Sequence, residues 1–327
     1  MLLLVSLICA TIYPFETLLI SYAFLGPLHY LTEISWLHDR KYFVQERATR
    51  WGLYIAAAVL LVLFNNFGLL GETLSNWKAP AMFVVFGLLG VFMFTHNWKH
   101  RGIGSAMVLG VAWLSSGSWM DIVFGVLLIT LIHVFVFTGL FVWTGIRKNP
   151  DRSGYLFGSL YLLAPILCFV LPNGWSFSPS LWAQTNYGLF FSALNTTVLD
   201  IFRVSITTQE VFSHPLSVDL ARFIAVAYTY HYLNWFSKPT VIQWHKMNAQ
   251  RWSVIVLVWL GTIGLYWYNY VLGFVVLLAL SFAHVVLEFP LNHLSFKQLW
   301  DSRKKTTAWW RLCVTSIFVC FQRLVCF

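Results

Sequence analysis

Four histidines, His29, His133, His231 and His284, each lie inside a hydrophobic stretch, and two of them carry a glutamate four residues on: Glu33 after His29 and Glu288 after His284. Spacing of four stacks each His–Glu pair on one helical face. A neutral imidazole offers a lone pair to a metal ion. Its second ring nitrogen then usually gives its proton to a carboxylate, carbonyl or water. Imidazole-rich sets suit zinc or copper, and imidazole with carboxylate suits non-haem iron. Both side-chain types are costly in lipid, which makes them functional candidates. The expectation is one metal held by His29, His133, His231 and His284, with Glu33 and Glu288 orienting the rings. Iron is preferred because a buried, aromatic-walled site suits oxygen chemistry on a lipid-like molecule.

The surroundings of these residues are those of a membrane. The chain has 327 residues, of which 59% are hydrophobic and 10% charged. Soluble domains carry about 25% charged residues. Its net charge of +9 would suit nucleic acid if the cations were clustered. Here they sit in short loops between apolar stretches, so nucleic acid is excluded and membrane orientation explains them. The 17 Trp, 14 Tyr and 29 Phe supply interfacial belts and pocket walls. The five cysteines (Cys9, Cys168, Cys313, Cys320 and Cys326) form no CxxC pair, so neither a disulfide framework nor a zinc knuckle is indicated. The N-terminus has no positive leading region and reads as membrane-embedded, not as a cleaved signal.

A helix crosses the hydrocarbon core with about 20 apolar residues. That rule predicts an all-α, polytopic protein with about nine transmembrane helices, a single membrane domain over residues 1–327. The spans are 1–37 (interrupted by Pro14 and Pro27), 51–70, 79–95, 105–119, 121–146, 153–171, 216–236, 252–268 and 270–290, with an interfacial tail over 291–327. The fourth is short and could be re-entrant. The connection 172–215 is long enough for an amphipathic helix on the outer surface. With the N-terminus outside and the C-terminus inside, all but three of the 21 Lys and Arg fall on the inner side. The exceptions are Lys78 and Arg203 in outer loops and Arg222 within the seventh span. This asymmetry sets the orientation, and an inner or plasma membrane is the expected location.

The four histidines fall in spans one, five, seven and nine, which all run outside to inside. At about 1.5 Å per residue, His29 lies about 16 Å from Arg40, His133 about 21 Å from Arg147, His231 about 10 Å from Lys238 and His284 about 20 Å from Lys297. Tilt absorbs a spread of this kind, so one layer in the inner half of the membrane can hold all four. The other histidines do not share that layer. His96 and His100 form an HxxxH pair but flank Lys99 and read as a solvated surface pair. His38 adjoins Arg40, His245 lies in a basic loop, His214 in an outer loop, and His293 near the end of span nine. Arg222 is expected to form a structural ion pair, with Asp219 three residues away or with the outer-loop acids.

The strings GPLHYLTE (26–33), IHVFVF (132–137), YTYHYLNWFSK (228–238) and AHVVLEF (283–289) resemble the Brp/Blh family of membrane β-carotene 15,15′-dioxygenases. The resemblance covers about 30 residues. It implies a non-haem Fe(2+) held by His29, His133, His231 and His284, and oxygenation of a lipophilic, carotenoid-like substrate. This chain has Trp235 where the family's HxxxH places a second histidine, and Leu28 and Tyr30 around His29 where the family has proline and glycine. Two other readings stand beside it: a transporter or proton pathway using the same His and Glu residues, and a non-catalytic membrane protein in which they join helices.

Overall fold

The computed structural model describes residues 1–64, 78–114, 118–243 and 246–303, and every regular element among them is helical. In chain order these are α1 (Leu2–Ile12), α2 (Pro14–Asp39), α3 (Arg47–Phe64), α4 (Lys78–Phe94), α5 (Trp98–Leu114) and the single turn α6 (Ser118–Met120). A π-helix (Asp121–Phe137) runs directly into α7 (Thr138–Lys148). Then come α8 (Arg152–Val170), α9 (Leu181–Phe190), α10 (Ser192–Ile201), α11 (Pro215–Phe236), the short α12 (Pro239–Ile242), α13 (Ala249–Tyr268) and α14 (Tyr270–Arg303).

Local chemistry sets the boundaries. Pro14 and Pro215 occupy the first turns of α2 and α11, where a missing N–H costs nothing. Asp151 and Asn248 cap α8 and α13 by accepting from the amides of Gly154 and Arg251, at 2.7 and 2.8 Å. The expected first span divides at Tyr13–Pro14 into two helices, whereas Pro27 stays inside α2. Connection 172–215 folds as two ten-residue helices, not one surface helix, and they bury Ala183, Tyr187, Leu194 and Leu199. Residues 291–303 continue α14 without a break, and Asn292 and Ser295 are buried. Tail residues 304–327, loop residues 65–77 and His245 lie outside the described residues.

The hydropathy is arranged for lipid. Helices α2 and α11 pack together at the centre, with α14 and α13 against α2 and the π-helix against α11. Most of α11 is buried, including the run Ala225–Tyr232. The outward faces of the peripheral helices are apolar: Ile55, Leu109, Leu156 and Leu257 are all exposed. Among the described residues three helical stretches, Thr130–Lys148, Arg152–Val170 and Tyr270–Trp300, are long and apolar enough to cross a membrane. These features indicate a membrane protein.

Two polar assemblies brace the ends of the bundle. Arg222, fully buried in α11, donates to the carbonyls of Cys168 (2.6 Å) and Leu171 (3.0 Å), to Asn173 Oδ1 (2.8 Å) and Ser176 Oγ (3.1 Å), and to Asp219 Oδ1 (3.2 Å). The expected Arg222–Asp219 pair is therefore present. It also ties α11 to the end of α8. At another end, Arg101 meets both carboxylate oxygens of Glu46, at 2.8 and 2.6 Å.

Candidate metal centre

The four histidines meet. His29 comes from α2, His133 from the π-helix, His231 from α11 and His284 from α14, and all four are buried. His29 Nε2 lies 3.0 Å from His231 Nε2, and His133 Nε2 lies 3.0 Å from His284 Nε2. The rings of His133 and His231 are 5.0 Å apart, and those of His29 and His284 5.5 Å apart. His29, His231 and His284 offer three ligand atoms all within 4.8 Å of one another. His133 joins that triad at its edge, through His284. Two nitrogens bound to one ion at about 2.1 Å and a right angle stand about 3.0 Å apart, so the spacing fits ligands of a shared cation.

The helices explain why these rings converge. Glycine at 26 leaves room for the hydroxyls of Tyr30 and Tyr232, which hydrogen-bond at 2.8 Å and lock α2 to α11 one residue from His29 and His231. Tyr30 also stacks on the His284 ring at 4.3 Å. Ser21 and Thr229 form a second tie between the same helices at 2.7 Å. His133 lies in a π-helix, an element that is rare and recurs at functional sites. Nothing in the sequence periodicity announces it.

The carboxylates take different places around the cluster. Glu288 Oε2 is 3.2 Å from His133 Nδ1, the outer nitrogen, and so stands behind a ring of another helix. The i,i+4 spacing had paired it with His284. Glu33 Oε2 is 3.0 Å from His29 Nε2, the nitrogen that faces His231. Glu33 thus shares the inner side of the cluster with the imidazoles. That oxygen has no hydrogen bond although it is buried, and neither does His29 Nδ1. A buried, unpaired carboxylate oxygen is costly unless something else satisfies it. Such a donor set fits a cation.

One contributor has no signal in the pattern of charged or imidazole residues. Thr138 Oγ1 lies 2.7 Å from His231 Nδ1. With His231 Nδ1–H donating to that hydroxyl, Nε2 keeps its lone pair toward the cluster. Trp235, where the resemblance expects a histidine, donates its indole N–H to Thr32 Oγ1 at 3.0 Å, and its ring stands 5.5 Å from that of His29. It fills the place beside the cluster as a wall. His38, His96 and His100 are exposed and stand apart, and His214 and His293 are half-buried.

A cavity of about 400 Å³ opens from the cluster. His29, His231, Glu33 and Glu288 line its deep end, Trp36, Phe141, Trp235 and Leu291 its walls, and Arg40, Lys148 and Lys238 its mouth. These cations follow the C-terminal ends of α2, α7 and α11, so three separate helices end on one side of the cluster.

No protein-family model, curated protein or solved structure matches the chain.

Proposed function

We propose that this protein is a non-haem-iron membrane oxygenase acting on a lipophilic, carotenoid-like molecule. The observation that carries the reading is the meeting of four buried imidazoles from four helices, with a buried carboxyl oxygen of Glu33 that makes no hydrogen bond among them. Ferrous iron bound there would supply the activation of dioxygen that carbon chemistry on an unactivated chain requires. His29, His231 and His284 would hold the ion, with His133 at the fourth position. Thr138 fixes the tautomer of His231, and Glu288 stands 3.2 Å behind the outer nitrogen of His133. Glu33 either completes the ligand set or holds a proton beside it. Trp36, Phe141, Trp235 and Leu291 keep water from the reacting chain and shape its path.

The topology belongs to the same proposal. Nine spans with the N-terminus outside place the cluster in the inner half of a plasma or inner membrane, facing a cavity that opens inward.

Metal analysis of the purified protein tests the reading. Iron near one per chain, with oxygen consumed when a carotenoid is added, supports it. Protein that binds no metal but carries a pH-dependent proton or ion flux in vesicles supports the pathway reading in its place. Loss of orange colour on co-expression with a β-carotene pathway would identify the substrate directly.

A further inference from the structure

The mouth of the cavity differs chemically from its walls. Arg40, Lys148 and Lys238 line it, from three different helix ends. No carboxylate among the described residues lies within ion-pair reach of Lys148 or Lys238, and Lys238 is half-buried. Arg40 is engaged with Trp36, its guanidinium lying 4.1 Å over the ring and donating to the Trp36 carbonyl at 3.3 Å. Cations belong at helix C-terminal ends and on the inner face of a membrane protein, which accounts for each of them singly. Neither rule accounts for their lining one cavity whose walls, beside polar groups such as Asn234 and Gln298, include Trp36, Phe141, Trp235 and Leu291.

A neutral hydrocarbon can fill the walls but gives Lys148 and Lys238 no counter-charge. A small soluble anion gains nothing from the walls. An amphiphile with an anionic head satisfies both. Its head would accept charge-assisted hydrogen bonds from the lysines, and its chain would replace water along Trp36, Phe141, Trp235 and Leu291. By helical rise, Lys238 and Arg40 lie about 10 and 16 Å along the chain from His231 and His29, so the far part of a long chain reaches the imidazoles.

We propose that the cavity binds an amphiphile by its anionic head, carboxylate or phosphate, at Lys148 and Lys238, with an acyl or polyene chain directed at the histidine cluster. The proposal rests on the oxygenase reading only for what happens at the chain's inner end.

The test measures binding of palmitate, methyl palmitate and a lysophosphatidate of the same chain length to the full-length protein in nanodiscs, with bound metal counted in the same preparation. Palmitate or lysophosphatidate should bind at least about tenfold more tightly than the ester. Lys148→Gln with Lys238→Gln should remove that advantage and leave the ester unchanged, and Lys238→Arg should keep it. The stronger of the two anions identifies the head. Equal binding of both anions and the ester overturns the proposal, as does a folded double variant that still prefers the anions. Should the double variant fail to fold, the comparison of anions with ester in the unaltered protein decides by itself. A head preference in metal-free protein would leave this proposal standing and remove the oxygenase reading. Bound iron without a head preference would do the reverse.

Discussion

His29 and His231 face each other Nε2 to Nε2 at 3.0 Å, although 202 residues separate them in the chain. Two aromatic and hydroxyl ties hold their helices in that register, Tyr30 to Tyr232 and Ser21 to Thr229. The pair is therefore set by helix packing and not by flexible side-chain choice, as a preorganised ligand pair needs to be.

The triad and its fourth member are separable. His284→Ala removes one of three mutually close ligand atoms and should abolish stoichiometric metal. His133→Ala removes a ring at the edge of the triad, in Nε2 contact with His284 and 5.0 Å from the His231 ring, and should weaken binding while leaving measurable metal. Metal content by plasma mass spectrometry checks both. Equal metal in the His284→Ala variant and the unaltered protein would defeat the site.

Thr138→Val keeps the shape of the side chain and deletes the hydroxyl 2.7 Å from His231 Nδ1. Partners of this kind typically contribute about 10- to 100-fold in metal affinity. A loss in that range is expected from chelator competition, with little change in melting temperature. Unchanged affinity would show that Thr138 does not orient the ring.

Trp235→Phe retains the wall and loses the indole N–H that reaches Thr32. The expected cost is about 1 kcal/mol of stability, read as a lower melting temperature in detergent, with full metal content. Metal loss in this variant would mean that Trp235 does more than line the cluster.

Arg222→Met leaves Asp219 and the carbonyls of Cys168 and Leu171 without their buried donor. Removing one partner of a buried pair typically costs about 3–5 kcal/mol. Severe thermal destabilisation is expected. Arg222→Lys should recover only part of it, since an ammonium cannot reproduce the planar fork. A melting temperature unchanged by Arg222→Met would contradict this role.

Glu46 gives a pH signature. Its hydrogen bonds with Arg101 pull the carboxyl from 4.5 down to about 2. A carboxyl lowered on folding contributes stability above its unfolded value, and that contribution fades as pH falls toward its folded value. The stability difference between the unaltered protein and Glu46→Gln should thus be present at neutral pH and shrink between about pH 4.5 and pH 2. Melting curves across that window check the sign, and a difference that grows on acidification would contradict it.

Much of this was legible in the sequence. Helix existence follows from apolar runs of sufficient length, whereas the starts at Pro14, Asp151, Pro215 and Asn248 are set by local capping chemistry that run length does not locate. The four site histidines stand out because imidazole inside an apolar stretch is costly wherever the helix points. Arg222 and Asp219 were paired by a spacing of three. What spacing does not give is the partner of each carboxylate: i,i+4 names a neighbour on the same helix, whereas Glu288 meets His133 on another. The π-helix gave no periodic signal, so the depth of His133 counted on α-helical rise was not its true register.

The sequence by itself determined that the chain is helical, lipid-compatible, and carries four costly imidazoles with two glutamates. Composition and local spacing suffice for that, since each is a property of one segment in one solvent. Only the tertiary structure decided that His29, His231 and His284 converge with His133 at their edge, that Glu33 sits inside the cluster, that Thr138 supports it, and that three distant cations line one mouth. Those facts depend on how each helix is rotated about its axis. Rotation is fixed by packing against other helices, through side chains hundreds of residues away.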